Sequence, residues 1–243
     1  MLFQPLAQFE VFFLSYYKNI LPISNVFMYM LFIYLSVRFL FGMVLINIKI
    51  IPNNWQNLFE ILYLFVFDLV KQQVGRQGYG YFPLKLTLFL FILFSNILGM
   101  TLYSFTVTSH ALVTFGLAFV FFIGIVIIGV VTQKMKFLNT FVPAGSPLFL
   151  LPFMVIIEII SYLSRPVSLA IRLFANMMSG HALLAILANF TFVISKKNLL
   201  IGAIPFILIV GIIGLEAMIA LLQAYVFTVL LCIYLRDSVH GAH

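Results

Sequence analysis

Between Pro147 and Ser195, once past Pro152 near its start, the run is mostly apolar and Pro166 is its one strong interior helix breaker. A straight helix over that stretch would be about 75 Å long at 1.5 Å per residue. The hydrocarbon core of a bilayer is only about 30 Å thick. Leu199 to Leu235 poses the same problem, at about 55 Å. Membrane helices tilt by about 20° on average, so these segments are either broken or steeply inclined. S-K-K-N at 195–198 reads as the turn of an antiparallel hairpin lying obliquely in the membrane. Such a hairpin needs a large curved partner to cover its polar stripe. The chain is 64% hydrophobic and 8% charged, against about 25% charged in a soluble domain. The expected class is all-α: a polytopic membrane protein of about five membrane helices, with an amphipathic interfacial helix and the inclined C-terminal hairpin.

The stretch E-I-I-S-Y-L-S-R-P-V-S-L-A-I-R-L-F-A-N-M-M-S-G-H-A-L-L carries Glu158, Arg165, Arg172, Asn176 and His181. An Arg near a bilayer centre costs about 2.5–3.5 kcal/mol on insertion scales. A segment that bears this cost repeatedly is expected to move or sense charge. At 100° per residue, Arg165 and Arg172 lie about 20° apart, with Asn176 about 40° beyond Arg172 and Glu158 about 40° to the other side. His181 falls on the opposite face. The last helix carries Glu216 and Gln223, seven residues apart on nearly one face. Antiparallel pairing about 195–198 brings Arg172 near Gln223 and His181 level with Glu216. Imidazole titrates near neutrality, so His181 and Glu216 read either as a proton relay or as an interhelical hydrogen bond. Arg172 cannot hand on a proton. It is a fixed charge, or else a tether with Glu158 as the nearest partner on its own helix. Arg165 precedes Pro166 and either caps or snorkels. Asn96 and Asn176 read as pore lining or interhelical glue.

The whole chain, 1–243, reads as one membrane domain. Residues 1–25 form a peripheral segment with Pro5 and Pro22 as breakers. A first span covers 26–47. P-N-N at 52–54 makes a turn, with Asn53 or Asn54 as N-cap, and opens an amphipathic helix within 52–76. Its Leu58, Ile61, Leu62, Phe65 and Leu69 share one face, with Glu60, Asp68 and Lys71 toward the other. A helical hairpin covers 83–133, its second span (83–106) carrying Asn96 and its third starting at 111. Residues 137–147 are a loop by composition, with Pro143, Gly145 and Pro147, and the inclined hairpin covers 147–235. With five crossings, Lys49, Lys71, Arg76, Lys85, Lys134, Lys136 and Arg236 fall on one side, and Lys18, Lys196 and Lys197 on the other. The positive-inside rule then places the C-terminus and amphipathic helix inside and the N-terminus outside.

The net charge of +7 is scattered between apolar spans, which fits orientation signals and not a nucleic-acid surface. The lone Cys232 leaves no disulfide framework and no Cys-x-x-Cys site. Four histidines, two of them in the tail V-H-G-A-H, are too sparse for a metal centre, so neither metal nor cofactor is expected. Glu10 and the lack of early Lys or Arg are unlike a cleavable signal peptide. Twenty-nine Phe is what an AT-rich coding sequence, such as an organellar genome, produces. No phosphate-binding P-loop, GxSxG or HExxH is present, so the chain is not expected to hydrolyse nucleotide.

I-E-I-I-S-Y-L-S-R-P-V-S-L-A-I-R-L-F-A-N-M-M-S-G-H, followed by L-E-A-M-I-A-L-L-Q-A-Y-V-F-T-V-L-L-C-I-Y-L, resembles subunit a of the F-type ATP synthases, in its mitochondrial-like form. The resemblance is strong from about residue 80 onward and generic over the first 50. It implies a non-catalytic stator subunit of the membrane sector, whose long inclined helices lie against a rotating ring of c subunits. Two offset proton half-channels would serve the ring carboxylates and couple proton flow to ATP synthesis. Arg172 matches the family's essential arginine and Gln223 its opposing glutamine. His181 and Glu216 match the inlet pair, with Asn176 nearby, and Glu158 an acid of the outlet side. No role carries over to Arg165. The implied partners are the c-ring, the peripheral stalk, the other membrane-sector subunits, protons and lipid. The implied location is the mitochondrial inner membrane, or alternatively a bacterial plasma membrane. From the residues alone, a secondary transporter or channel subunit with a buried charge relay stays open, although no internal repeat supports it. An intramembrane enzyme would need a nucleophile–base or metal set, and none is evident.

Overall fold

The computed structural model describes residues 9–11, 13–17, 21–46, 49–101, 105–134, 137, 151–196 and 199–240. The expected 137–147 loop, apart from Phe137, lies outside the described residues, as do Lys18, Lys136 and Lys197. Two short antiparallel strands, β1 (Phe13–Tyr17) and β2 (Leu21–Ser24), precede the helices. They add a small ribbon to an otherwise helical chain. Six α-helices follow: α1 (Asn25–Ile46), α2 (Asn54–Gln73), α3 (Phe82–Gly99), α4 (Ala111–Gln133), α5 (Leu151–Ser195) and α6 (Leu199–His240). Five helical segments are long and apolar enough to cross a membrane.

Both long segments are continuous helices, through Pro166 in α5 and Pro205 in α6. Of the two sequence options, broken helices are excluded. The facing helix ends approach closely: a side chain at Gly202 would meet the Ser195 Cα at 2.9 Å. α6 runs to His240, past the expected end at Leu235. Its last carbonyls find donors on α4, where Gln133 Nε2 donates to the Ser238 carbonyl at 2.8 Å. α3 in turn stops at Gly99, short of the expected 106. Thr106 packs against Gly99 so closely that a Cβ there would lie 2.7 Å from its methyl.

α2 starts where P-N-N predicts, with Asn53 as N-cap and its side chain accepting from the Asn54 amide. Its protein-facing side is a stripe that the sequence reading does not single out. Gln56, Val66 and Val70 are buried, while Leu58, Ile61 and Phe65 are exposed. The helix has a second apolar stripe, marked by the β-branched valines, and this is the one that packs. The wider Leu/Ile/Phe stripe stays outside, as an interfacial helix requires. Gln56 also pins the preceding turn, accepting from the Lys49 amide at 3.2 Å and donating to the Lys49 carbonyl at 3.1 Å.

The chain forms two compact units, each drawn from three stretches of sequence. One comprises Met1–Ile46, Leu90–Ala111 and Leu173–Ala224. Its core holds Ile33, Ile92, Leu173, Met177, Ala220 and Ala224. Small residues on α6 permit close helix approach there, as at many membrane interfaces. The other comprises Asn47–Phe89, Leu112–Arg172 and Tyr225–His243. Its core joins Val66 and Val70 to Phe82, Leu86, Phe122, Phe227 and Leu231. Phe82 meets Tyr63 edge-on at 4.9 Å and Phe67 at 5.5 Å.

Candidate functional site

In the first unit, α5 and α6 run antiparallel and bring His181 to Glu216, Nε2 to Oε1, at 3.4 Å. The level inferred from the turn position holds. Glu216 is 4% exposed, and among the described residues neither of its oxygens, nor His181 Nε2, has a hydrogen-bond partner. The separation is at the long edge of hydrogen-bond reach. A buried carboxyl with no hydrogen bond is costly. Gly180 makes the room: a Cβ there would lie 2.8 Å from Glu216 Oε1 and 3.1 Å from its Cδ. One residue thus clears space for the acid, and its neighbour supplies the imidazole.

On the same buried face of α6, one turn beyond Glu216, the Ala220 carbonyl accepts from Asn96 Nδ2 of α3 at 3.2 Å. The Asn96 side-chain oxygen accepts from the Thr108 hydroxyl at 3.0 Å. Asn96 is fully buried. Of its two sequence readings, interhelical glue is the one its contacts match. Gln223 is buried on α6 and Asn176 half-buried on α5.

In the second unit, Arg172 sits on an exposed part of α5, flanked by the exposed Ile171. Among the described residues no carboxylate lies within ion-pair distance of it. The tether to Glu158, one of the two options the sequence left open, is absent; Glu158 is half-buried on α5. Arg172 belongs to one unit and Gln223 to the other, so their expected juxtaposition has no bearing from either unit alone.

Arg165 is neither a cap nor a free snorkelling group. Its guanidinium lies 3.6 Å from Asp237, 5.3 Å from the Tyr162 ring centre and 5.1 Å from that of Tyr234. Asp237 also meets its neighbour Arg236 at 3.7 Å. A last helix that ends at Leu235, as the sequence reading has it, leaves out Asp237. A signal was present, because Asp237 lies three heptads after Glu216 and two after Gln223, on nearly the same stripe. The sequence reading places Lys85 among the basic residues that set orientation. Lys85 is instead 2% exposed, with Nζ donating to the Leu231 carbonyl at 3.3 Å. Its place in the first turn of α3 pointed to a loop-side charge. Packing of α3 against α6 takes it inside.

Residues 26–236 match the ATP synthase A chain family. The chain belongs to that family. It is 45% identical to ATP synthase subunit a of Acanthamoeba castellanii over 247 residues, covering the whole of both chains. It is 48% identical to ATP synthase subunit a of Brassica napus over 200 residues, covering 79% of this chain and 77% of that one. With its five candidate spans, this member of the ATP synthase A chain family is a multi-pass membrane protein. Among the described residues, no cluster of three or more His, Cys, Asp or Glu is placed to hold a metal ion.

Proposed function

We propose that this chain is the stator subunit of the membrane sector of an ATP synthase, carrying protons to and from a rotating ring of carboxylate-bearing subunits. The observation that carries the reading is Arg172: an exposed guanidinium in a 45-residue apolar helix, with no carboxylate partner among the described residues of its own chain. A charge so costly in a membrane fits a carboxylate supplied by another chain. Family membership makes the c-ring the natural source.

His181 and Glu216 form the inlet. Protons arriving there neutralise a ring carboxylate, which then turns into lipid at far lower cost than its ion would bear. After nearly a full rotation the carboxyl reaches the outlet, lined by Glu158, and ionises. Arg172 attracts the new carboxylate and, being unable to release a proton, blocks direct passage between the half-channels. Asn176 and Gln223 provide polar lining beside it. Each charge crossing the membrane field releases about 2.3 kcal/mol per 100 mV, so several protons are needed for each ATP made elsewhere in the complex. The chain neither makes nor hydrolyses ATP itself. Its partners are the c-ring, the peripheral stalk, the other membrane-sector subunits and lipid. α5 and α6 lie steeply inclined across the mitochondrial inner membrane. The N-terminus faces the intermembrane space and the C-terminus the matrix.

The test is Arg172→Ala in the fully assembled complex, reconstituted in liposomes. The expected result is loss of coupled synthesis together with passive proton leak. Arg172→Lys is expected to fail as well, because an ammonium lacks the planar fork that pairs with a carboxylate. Normal synthesis by assembled Arg172→Ala would overturn the reading. So would loss of assembly with Ala and its rescue with Lys, the pattern of a structural ion pair.

A further inference from the structure

The connection between α3 and α4 is unusual for a turn joining two membrane spans. Within it Thr106, Thr108 and Ser109 are buried, together with Phe105 and Val107, while Thr101 next to α3 is exposed. The hydroxyls are organised. Thr106 Oγ1 donates to Ser109 Oγ at 2.7 Å, and Ser109 Oγ donates to the Thr106 carbonyl at 2.6 Å. The Thr108 hydroxyl reaches Asn96, and Asn96 in turn reaches the Ala220 carbonyl, one turn beyond Glu216. His110 closes the turn. Its ring stacks on Phe105 at 4.7 Å with 23° between the planes, and Phe105 meets Tyr29 of α1 at 5.7 Å. All of these groups belong to the unit that holds His181 and Glu216.

The ionisable groups on the elements around the turn are few. α1 carries Tyr29, Tyr34 and Arg38, the α3 half within this unit and α4 carry none, and α5 and α6 bring His181 and Glu216. α1, α3 and α4 carry no carboxylate of their own, and Glu10 lies beside the start of α1, where its carbonyl accepts from Asn25 Nδ2 at 3.1 Å. Burial lowers the His110 pKa below the usual histidine value, so at neutral pH the ring is mainly neutral. A neutral imidazole can take a proton on one nitrogen and release one from the other, with no net change.

We propose that the Phe105–His110 turn is the outer mouth of the proton route to Glu216. In this role His110 collects protons from the outer aqueous phase and the buried hydroxyls extend the polar path inward. Asn96 is a positioning residue that holds the turn in register with α6. The assignment rests on the inlet role given above to His181 and Glu216.

The test uses the intact complex in liposomes, with proton flux driven by a fixed membrane potential while the pH on each face is varied separately. His110→Gln keeps a polar group and removes the titration. Flux is expected to fall several-fold and to lose part of its dependence on outer pH. Dependence on inner pH is expected to stay unchanged, and imidazole added to the outer face is expected to restore flux. His110→Phe, which keeps the stack on Phe105, is expected to be equally slow. Wild-type flux in either variant, with Glu216→Leu still blocked, overturns the mouth assignment and leaves the inlet reading standing. Wild-type flux in Glu216→Leu as well overturns the inlet reading. Failure of both His110 variants to assemble assigns the turn a packing role and also overturns the proposal.

Discussion

Glu216 can point its carboxyl at His181 because residue 180 has no side chain. A methyl at that position would press on both Oε1 and Cδ of the acid. The acid's far end is flexible, so the acid yields more easily than the helices. Gly180→Ala also gains about 1 kcal/mol of helix propensity. The expected outcome is a complex that assembles normally and carries markedly less proton flux, because the contact with His181 is lost. Flux assays beside native-gel assembly tests check this. Replacing His181 or Glu216 by Leu is expected to slow ATP-driven pumping and synthesis together in assembled complexes. Wild-type flux in both would leave the pair an interhelical contact only. Of these residues the sequence made His181 and Glu216 legible, since a base and an acid in apolar runs stand out and the turn position sets their level. It did not reveal Gly180, whose role depends on how closely two helices approach. Nor did it reveal the Arg165–Asp237 pair, which needs the true end of α6.

At the scale of the element, the great length of α5 and α6 was readable, while helix ends and surroundings were not. α5 and α6 continue through Pro166 and Pro205 because the apolar runs on either side outweigh one lost hydrogen bond each. Lys85 shows the other side. Its ammonium donates to a carbonyl of α6 at 3.3 Å, which retains a second lone pair beyond the one its own helix uses. A buried charge of this kind is often replaceable by an apolar group of similar shape. Lys85→Met is expected to leave thermal stability of the purified complex within about 1 kcal/mol of wild type. Lys85→Ala, which empties the space of a long stem, is expected to cost about 2–5 kcal/mol, as large-to-small core changes do. Thermal unfolding followed through release of the subunit separates the two. The α2 helix teaches the same lesson. Its period was correct, but of two apolar stripes, packing selected Val66 and Val70.

Across the whole molecule, exposed apolar side chains run along α1, α4, α5 and α6, among them Phe39, Val120, Ile160 and Met218. Such a surface suits lipid and neighbouring subunits. With Lys85 buried, the remaining basic residues still favour the side of the C-terminus. A cysteine-labelling reagent that cannot cross the membrane is expected to reach a tag after residue 243 only from the inner face. Labelling from the outer face would reverse the assigned orientation. The sequence by itself determined the class, the number of candidate spans, and that the last two helical segments are far longer than a bilayer is thick. All of these follow from local composition and from the 1.5 Å rise of a helix. The tertiary structure alone decided which charges are paired, which face of α2 packs, and where the buried turn before α4 directs its hydroxyls. Those outcomes depend on the distance between groups far apart in the chain, and hydrophobic periodicity fixes a face without fixing its neighbour.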